Sequence, residues 1–393
     1  DITNNKELNA NDDMFYYFPK NKAELFKSES SINRLRSLIY QGFPNIRARA
    51  ITWEYLLNIE KLYQLTKDKL SKDKDIIVSS KDEIFEVYKN QIQNGETTNI
   101  TFTLIDNDTN YIKPIKQDQD HYEYIETIKT IAKAFFLWTE LDIRLDETKK
   151  EKKYVYFVGM LSVIQRLYHS FGSDSATFWF IIGFAQYIDL FQEENPIYNG
   201  DISHMSINVY VLVTKLILEL HCKEIYNKFL SLNYPIEQFI SKQLNSLYSE
   251  YFQSNLLFRV FDILLFEASC TEFFGDSLRY LRILCTIPIT IFQMNEKNIL
   301  AAQSISELET IVDDFVIKTY ANMKFIGQLQ ENVLKFYSYN NFFEKMLNLN
   351  ADTKWDSKRE NMQQLIYDHF SPVQQESTNY LKKVSTKESI LGE

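Results

Sequence analysis

Apolar residues recur at intervals of three and four along most of this chain, the spacing that one buried face of an α-helix requires. The first such run starts at Ile32, and a second run follows a Gly42-Phe43-Pro44 turn and ends near Leu57. Because glycine and proline interrupt helices, the two runs are separate. The pattern predicts a pair of short amphipathic helices at the start of the folded region, with Trp53 as a core residue.

Helical periodicity returns in later parts of the chain. The regions that show it are 122–141, 155–168, 207–221 and about 320–348, and a further helix is predicted to begin at Pro235. The 207–221 segment is apolar on nearly every face, which predicts a buried central helix. Ser306 and Glu309 have the spacing of a capping box before another helix. No segment alternates as a strand does, so the predicted fold class is all-α.

Segments with a different composition divide the chain into regions. Residues 1–31 are predicted to be an N-terminal extension, and about 66–100 a charged insertion that is mainly a solvated loop with a helix at its end. The main domain is predicted to span 32–320. Residues 321–393 are then a C-terminal helical extension followed by a polar tail.

The composition agrees with a packed helical protein and excludes several classes of function. Nine glycines and seven prolines in 393 residues are too few for the turns of sandwiches, propellers or dinucleotide-binding folds. With 43 basic and 53 acidic side chains, the chain has no basic field for nucleic acid. Three cysteines make no disulfide framework, and no apolar run reaches the ~18 residues of a membrane span. We therefore expect an intracellular protein in a reducing compartment, without a transmembrane segment.

Self-contained catalysis has little support in the sequence. The chain contains no glycine-rich phosphate loop, no serine nucleophile elbow and no zinc-binding His-Glu-x-x-His helix. Its five histidines are scattered, and although His221 precedes Cys222, adjacent residues on a helix point apart. We therefore expect no metal site and no bound cofactor.

A set of residues at the start of the main domain resembles a known family. The residues with matching order and gaps are Arg36, Gly42, Pro44, Arg47 and Trp53. They resemble the opening of the TBC domain, an all-helical GTPase-activating module that acts on Rab proteins. The resemblance covers roughly 32–320 and implies a two-lobed TBC (Rab-GAP) helical fold.

Later motifs fit the same family in the expected order. The second signature of the family is matched by Ile105, Asp108 and Pro114. The third signature is matched by Tyr156, Gly159 and Met160, and a later element is matched by Arg259 and Asp262. The resemblance implies structural roles for the charged ones. Arg36, Arg47 and Asp108 are expected to tie the first helices together, and Arg259 with Asp262 to do the same in the second half.

Both positions that are catalytic in the family hold other residues in this chain. The arginine position, three residues after Asp108, holds Tyr111, and the glutamine position, just before Gly159, holds Val158. In the family mechanism the arginine neutralises charge on the transferring phosphoryl group, which contributes about 10³ to 10⁵ in rate, and the glutamine orients the attacking water. Tyr111 offers one neutral O–H donor and Val158 offers no hydrogen bond. The resemblance therefore implies a degenerate member without a catalytic residue.

Two basic residues are alternatives for the missing arginine. Arg144 lies between Asp142 and Asp146, and Lys113 lies two residues after Tyr111. An exposed arginine flanked by aspartates is typical of a solvated ion pair, and lysine lacks the planar fork that suits phosphate. We therefore expect neither residue to replace the missing catalytic arginine, or arginine finger.

The sequence thus predicts a catalytically inactive TBC-like protein that acts as a protein-binding or scaffolding subunit. Its expected partner is either a Rab-like small GTPase or the subunits of a large assembly, in the cytoplasm, the cytoskeleton, a cilium or an organelle. The expected binding surface gathers around Tyr111, Ile112, Tyr156 and Val158, although Val158 could instead be buried beside Met160. The alternative function is an active Rab GTPase-activating protein with non-standard fingers.

Overall fold

The computed structural model describes most of the chain, and the described residues are mainly α-helical. They are residues 29–95, 100–112, 115, 120–143, 145, 154, 156, 159–188, 211, 213–215, 217–219, 221–274, 279–318 and 323–337. Within these ranges no residue lies in a β-strand. The all-α prediction is therefore confirmed.

Eight helices precede residue 190 and seven follow residue 222 in the described ranges. The first eight are α1 (Glu29–Gln41), α2 (Ile46–Leu56), α3 (Ile59–Lys74), α4 (Lys81–Gln93), α5 (Ile100–Thr109), α6 (His121–Thr139), α7 (Gly159–Phe171) and α8 (Asp174–Tyr187). The later seven are α9 (Lys223–Ser231), α10 (Ile236–Asn245), α11 (Ser254–Phe274), α12 (Arg279–Met294), α13 (Glu296–Ala301), α14 (Ile305–Lys318) and α15 (Met323–Tyr337). Residues 211, 213–215, 217–219 and 221 are also helical.

Polar side chains fix where several of these helices begin. Asn45 Oδ1 accepts from the backbone N–H of Ala48 at 2.8 Å and caps α2. At α14, Ser304 Oγ accepts from the N–H of Glu307 at 3.2 Å. The capping pair predicted at Ser306 and Glu309 is therefore wrong by two residues. Ser306 already lies inside the first turn of α14, so Ser304, two residues earlier, provides the cap.

The charged segment after residue 66 is helical, which corrects the solvated loop predicted for about 66–100. Helix α3 continues to Lys74, and α4 follows after a short connection. Leu70 and Tyr88 are buried, while the charged residues around them are exposed or half-buried. Thr66 Oγ1 accepts from the indole N–H of Trp138 at 2.9 Å, which ties α3 to α6. The high charge density therefore marks the outer face of amphipathic helices.

One hydrophobic core runs through both halves of the described chain, and α11 lies at its centre. Helix α11 packs against α1, α2 and α8 from the first half and against α12 from the second. Between the ends of α11, residues 260–270 are buried on every side. This helix is therefore buried all round and contacts helices of both halves.

Asp262 is the buried charge that joins α11 to α2. Its carboxylate is fully buried and accepts from Trp53 Nε1 at 2.9 Å and from Arg49 Nε and Nη2 at 2.9 and 3.1 Å. Burial raises the pKa of Asp262 to about 6, against the opposing effect of Arg49. The hydrogen bonds from Arg49 favour the ionised carboxylate and pair it with the guanidinium.

Arg259 binds the end of the first helix, so it connects α11 to α1 and not only helices of the second half, as expected from the resemblance. Its guanidinium donates to the carbonyl oxygens of Gln41, at 2.7 Å, and of Tyr40 at the end of α1. Gly42 has a φ of 98°, and a Cβ there would lie 1.8 Å from Arg259 Nη1. The turn therefore requires glycine both for its backbone conformation and for the space that Arg259 occupies.

Arg36 connects α1 to α11 in the same way. Its Nε lies 2.8 Å from Glu267 Oε1, and Glu267 is completely buried. The expected role of Arg36 in tying the first helices to each other is corrected, since its buried partner lies 231 residues further along the chain. Arg47 lies in the first turn of α2 and is half-buried.

The C-terminal helix α15 is part of the core. Ile326, Leu329 and Val333 are buried, and α15 packs against α12 and α1. The apolar stripe predicted for about 320–348 therefore faces the protein interior over Met323–Tyr337. Residues 1–28 and 338–393, which contain most of the predicted extension and tail, lie outside the described residues.

Replacing Trp53 by alanine should lower the free energy of unfolding by about 3–5 kcal/mol, because it empties a large core volume. Trp53 is fully buried and packs against the rings of Phe180, Phe184 and Phe258. Trp53→Phe is the matched variant: it keeps an aromatic ring, removes the donor to Asp262 and should cost about 1–3 kcal/mol. Urea unfolding measures both. A loss within ~0.5 kcal/mol for Trp53→Ala would contradict the buried position.

Candidate functional site

The second and third sequence signatures meet at the end of α5. The phenol of Tyr156 donates to Asp108 Oδ2 at 2.8 Å. The Tyr156 ring packs edge to face on Phe136 of α6, with ring centroids 6.1 Å apart. Asp108 therefore contacts the third signature, whereas the resemblance had led us to expect that it ties the first helices together. This hydrogen bond brings two motifs together that are 48 residues apart.

The hydrogen of Tyr156 stays in place near neutral pH. Burial is the main cause that raises the pKa of Tyr156, and the hydrogen bond to the Asp108 carboxylate raises it further. A phenol with a raised pKa remains a donor, and a carboxylate is a strong acceptor. Tyr156 therefore remains a hydrogen-bond donor to Asp108 near pH 7.

Tyr111 lies in the turn that closes α5. Its backbone N–H donates to the carbonyl oxygen of Asp108 at 3.1 Å, and the N–H of Ile112 donates to that of Thr109 at 3.1 Å. The side chain of Tyr111 is 84% exposed, whereas Ile112 is half-buried against the core. The turn thus presents an aromatic ring with a neutral hydroxyl at the position where the family resemblance places an arginine.

Helix α7 begins in close contact with the end of α10. A Cβ on Gly159 would lie 1.7 Å from the carbonyl oxygen of Asn245, so no larger residue fits at the start of α7. Met160, the next residue, is completely buried. The segment after Asn245 includes Leu247 and Tyr248, both with left-handed φ values of 47° and 63°. The backbone after α10 therefore packs directly against Gly159 of the third signature and fixes the start of α7.

Several residues singled out from the sequence lie outside the described residues. They are Val158, Lys113, Pro114 and Arg144. The predicted meeting of Val158 with Tyr111 stays a prediction, and so does the use of Lys113 or Arg144 as a replacement finger.

The lysines on α6 next to α5 have acidic partners. Lys133 Nζ lies 2.7 Å from Asp106 Oδ1 and 5.3 Å from the centre of the Phe102 ring. Lys129 Nζ lies 2.5 Å from Glu126 Oε1 and 3.7 Å from Asp106 Oδ1. Both ammonium groups are therefore held along the contact between α5 and α6.

The described side chains of the site offer hydrogen-bonding and apolar contacts. Tyr111 supplies one neutral O–H group and a ring face, and Ile112 supplies part of an apolar surface. In the described ranges, no group of three or more His, Cys, Asp or Glu residues could hold a metal ion. No helix among the described residues is long and apolar enough to cross a membrane.

Two exposed apolar residues next to this site were not predicted from the sequence. Ile100 is 81% exposed and Leu104 is 47% exposed, both on α5. Their four-residue spacing, continued seven residues later by Tyr111, was visible in the sequence as a stripe on one helix face. Apolar residues with this spacing normally indicate a buried helix face, so the sequence pattern did not indicate that these residues are exposed.

Comparisons with known proteins find a matching family model and similar solved structures, among them two Rab-GAP domains. Residues 46–300 match the family model described as the Rab-GTPase-TBC domain. The chain is similar to the crystal structure of the Chlamydomonas flagellar RabGAP TBC domain, with a TM-score of 0.52 and 14% identity, over 80% of this chain and 85% of that one. It is similar to the Ypt/Rab-GAP domain of Gyp1p with a TM-score of 0.50 and 14% identity, over 80% and 96%. At such identity the two structures establish the fold alone. No curated protein matches the sequence.

Replacing Gly159 by alanine should lower the free energy of unfolding by about 1–3 kcal/mol, because the backbone of Asn245 must move to admit a Cβ. Gly327 is the matched control, since it lies within α15 and an added Cβ there would meet no other part of the protein within 4 Å. There the same change should raise stability by about 0.5–1 kcal/mol. Thermal or urea unfolding compares the two variants. Equal effects would show that α7 and α10 do not touch as described.

Proposed function

Since this chain belongs to the Rab-GTPase-TBC domain family, we propose that it binds a Rab-type GTPase without accelerating the hydrolysis of the bound GTP. Membership of the family supports a role in the regulation of Rab GTPases, because the family acts on these proteins. Binding without catalysis, as a protein-binding or scaffolding subunit, is the proposal. The exposed position of Tyr111 in the turn after Asp108 is the observation that carries it.

The chemistry of Tyr111 does not replace that of an arginine. A guanidinium spreads a full positive charge over a planar fork, which matches the oxygens of a phosphoryl group. A neutral phenol can donate one hydrogen bond but cannot neutralise developing charge. Since an arginine finger contributes about 10³ to 10⁵ in rate, its loss removes most of the activation.

The lysines of α6 that pair with α5 do not supply that charge either. Lys133 and Lys129 both lie within 4 Å of Asp106 and are only 12% and 20% exposed. Moving either ammonium group toward a phosphate would leave the Asp106 carboxylate without its partner. The lysines therefore support the position of α5 and do not act as fingers.

The same residues favour a stable protein contact. Tyrosine is one of the residues that contribute most to protein interfaces, because it combines a large apolar face with a polar end. Asp108 and Tyr156 hold the turn in place from the inside, so Tyr111 is presented on a fixed backbone. An aromatic residue at this position thus suits prolonged binding better than a catalytic encounter.

A Rab-type GTPase loaded with GTP should release phosphate near its intrinsic rate in the presence of excess protein. The physical reason is the absence of a charged finger at Tyr111. Phosphate release from purified Rab proteins is the measurement. An acceleration above about 10²-fold that disappears in Arg144→Ala or Lys113→Ala would instead establish an active protein with a non-standard finger.

Replacing Tyr111 by glutamate should weaken binding of the GTPase by about 1–3 kcal/mol, because the new charge would be desolvated at the contact. The melting temperature should stay nearly unchanged, since the wild-type side chain is exposed. Tyr111→Phe is the control that keeps the ring and should retain most of the affinity. Unchanged affinity in Tyr111→Glu would place the contact elsewhere. If purification of the native protein brought down only the subunits of a large assembly and no GTPase, the proposal of a Rab-type GTPase as the partner would be wrong.

A further inference from the structure

Helix α12 contains a proline that leaves one backbone carbonyl group without its usual donor. Pro288 lies inside the helix and is buried. In an α-helix the carbonyl oxygen of Leu284 accepts from the backbone N–H of residue 288, and proline has no such hydrogen. Leu284 is buried as well, so the missing donor has to come from another part of the protein.

The phenol of Tyr248 supplies that donor. Its hydroxyl donates to the carbonyl oxygen of Leu284 at 3.3 Å, from the turn that follows α10. Tyr248 is fully buried. Burial raises the pKa of its phenol well above the ordinary value, so the hydroxyl keeps its hydrogen. Tyr248 therefore does for α12 what the amide of residue 288 does in a helix without proline.

The backbone at Tyr248 has a conformation that such residues rarely adopt. The N–H of Tyr248 donates to the carbonyl oxygen of Gln243 at 2.7 Å. The N–H of Leu247 donates to that of Leu244 at 3.0 Å, which completes a Schellman motif at the end of α10. Leu247 and Tyr248 both have left-handed φ values, whereas the other non-glycine residues with left-handed φ in the described ranges are Asn or Asp. The turn is therefore strained, and contacts outside it must hold its shape.

Helix α7 rests on this turn. A Cβ on Gly159 would lie 1.7 Å from the carbonyl oxygen of Asn245. Two helical turns later, Arg166 Nε donates to the carbonyl oxygen of Ser249 at 2.9 Å. Gly159 and Arg166 are seven residues apart, so they lie on the same face of α7. The backbone of residues 245–249 therefore supports one whole face of α7, from its first residue onward.

We propose that Tyr248 is a positioning residue for the third signature. Its hydroxyl joins the turn after α10 to the proline-interrupted helix α12 and so keeps the turn in the shape on which α7 rests. Val158, at the glutamine position of the family, directly precedes α7 in the sequence. The turn therefore decides how the third signature is presented, whichever residue stands at that position. This inference goes beyond the proposed function and does not depend on the identity of the partner.

A double-mutant cycle tests the link between Tyr248 and Pro288. Tyr248→Phe removes only the hydroxyl and should lower the folding equilibrium constant at least about 5-fold, because the buried carbonyl of Leu284 loses its donor. In a Pro288→Ala chain the alanine N–H restores the helical donor, so Tyr248→Phe should there lower the constant less than about 2-fold. Urea unfolding measures all four chains. An equal loss in both backgrounds, or no loss in either, overturns the proposal.

Tyr251 provides the matched control. Its phenol also donates to a backbone carbonyl oxygen, that of Val312 in α14, at 3.0 Å. Helix α14 contains no proline. Tyr251→Phe should therefore lower the folding equilibrium constant by the same factor, within about 2-fold, in the wild-type and the Pro288→Ala chain. Rescue of Tyr251→Phe by Pro288→Ala would show that the rescue is not specific to Tyr248, which overturns the proposal.

Hydrogen exchange of backbone amides tests the effect on α7, which a hydroxyl that only stabilises the core would not single out. Tyr248→Phe should speed exchange in α7 at least about 3-fold more than in α8, because α7 rests on the released turn. Tyr251→Phe should speed the two helices by the same factor, within about 2-fold. Equal acceleration of α7 and α8 in Tyr248→Phe overturns the positioning role.

Two features of this design keep the result readable. If Pro288→Ala does not fold, the exchange comparison between Tyr248→Phe and Tyr251→Phe decides, since neither chain contains that change. No GTPase enters any of the measurements. Failure of the proposed function therefore leaves this inference standing, and failure of this inference leaves the proposed function standing.

Discussion

The buried carboxylate of Asp262 is the interaction on which the docking of the first helices on α11 depends. Trp53 and Arg49 donate to it from α2, more than 200 residues away in sequence. Arg49 also lies over the rings of Phe43 and Phe258, 5.7 and 5.5 Å from their centres. Removal of Arg49 from the folded protein would leave this buried charge without its main partner, at a cost of about 3–5 kcal/mol. The contact between α2 and α11 therefore keeps Asp262 paired.

Two further polar contacts on α11 reach the first helix. Glu267 pairs with Arg36, and Arg259 donates to the last carbonyl groups of α1. Together with Asp262, these residues fix α1 and α2 along one helix of the second half. The candidate site is held by other contacts, between Tyr156 and Asp108 and between Gly159 and Asn245. Because Tyr111 is exposed and takes no part in either set, its identity can change the function while the fold stays the same.

The sequence predicted the helices well where one apolar face was clear and poorly where charge was dense. The spacing of Leu62, Thr66 and Leu70 is that of a buried helix face, yet the lysines and aspartates between them favoured a loop. The family resemblance was confirmed by the match over 46–300. It located Asp108 and Tyr156 but not their hydrogen bond. The pairing of Asp262 with Arg49 was also missed, because periodicity is a local property and cannot report contacts over such distances.

The central claim is that the fold of the family is retained while its charged finger is absent. The most direct measurement is single-turnover hydrolysis of GTP on a bound Rab-type GTPase, comparing the wild-type chain with the double variant Tyr111→Arg, Val158→Gln. The account predicts the intrinsic rate with the wild-type chain and an acceleration of at least about 10² with the double variant. Acceleration of that size by the wild-type chain would contradict it, and so would an intrinsic rate with a double variant that still binds the GTPase.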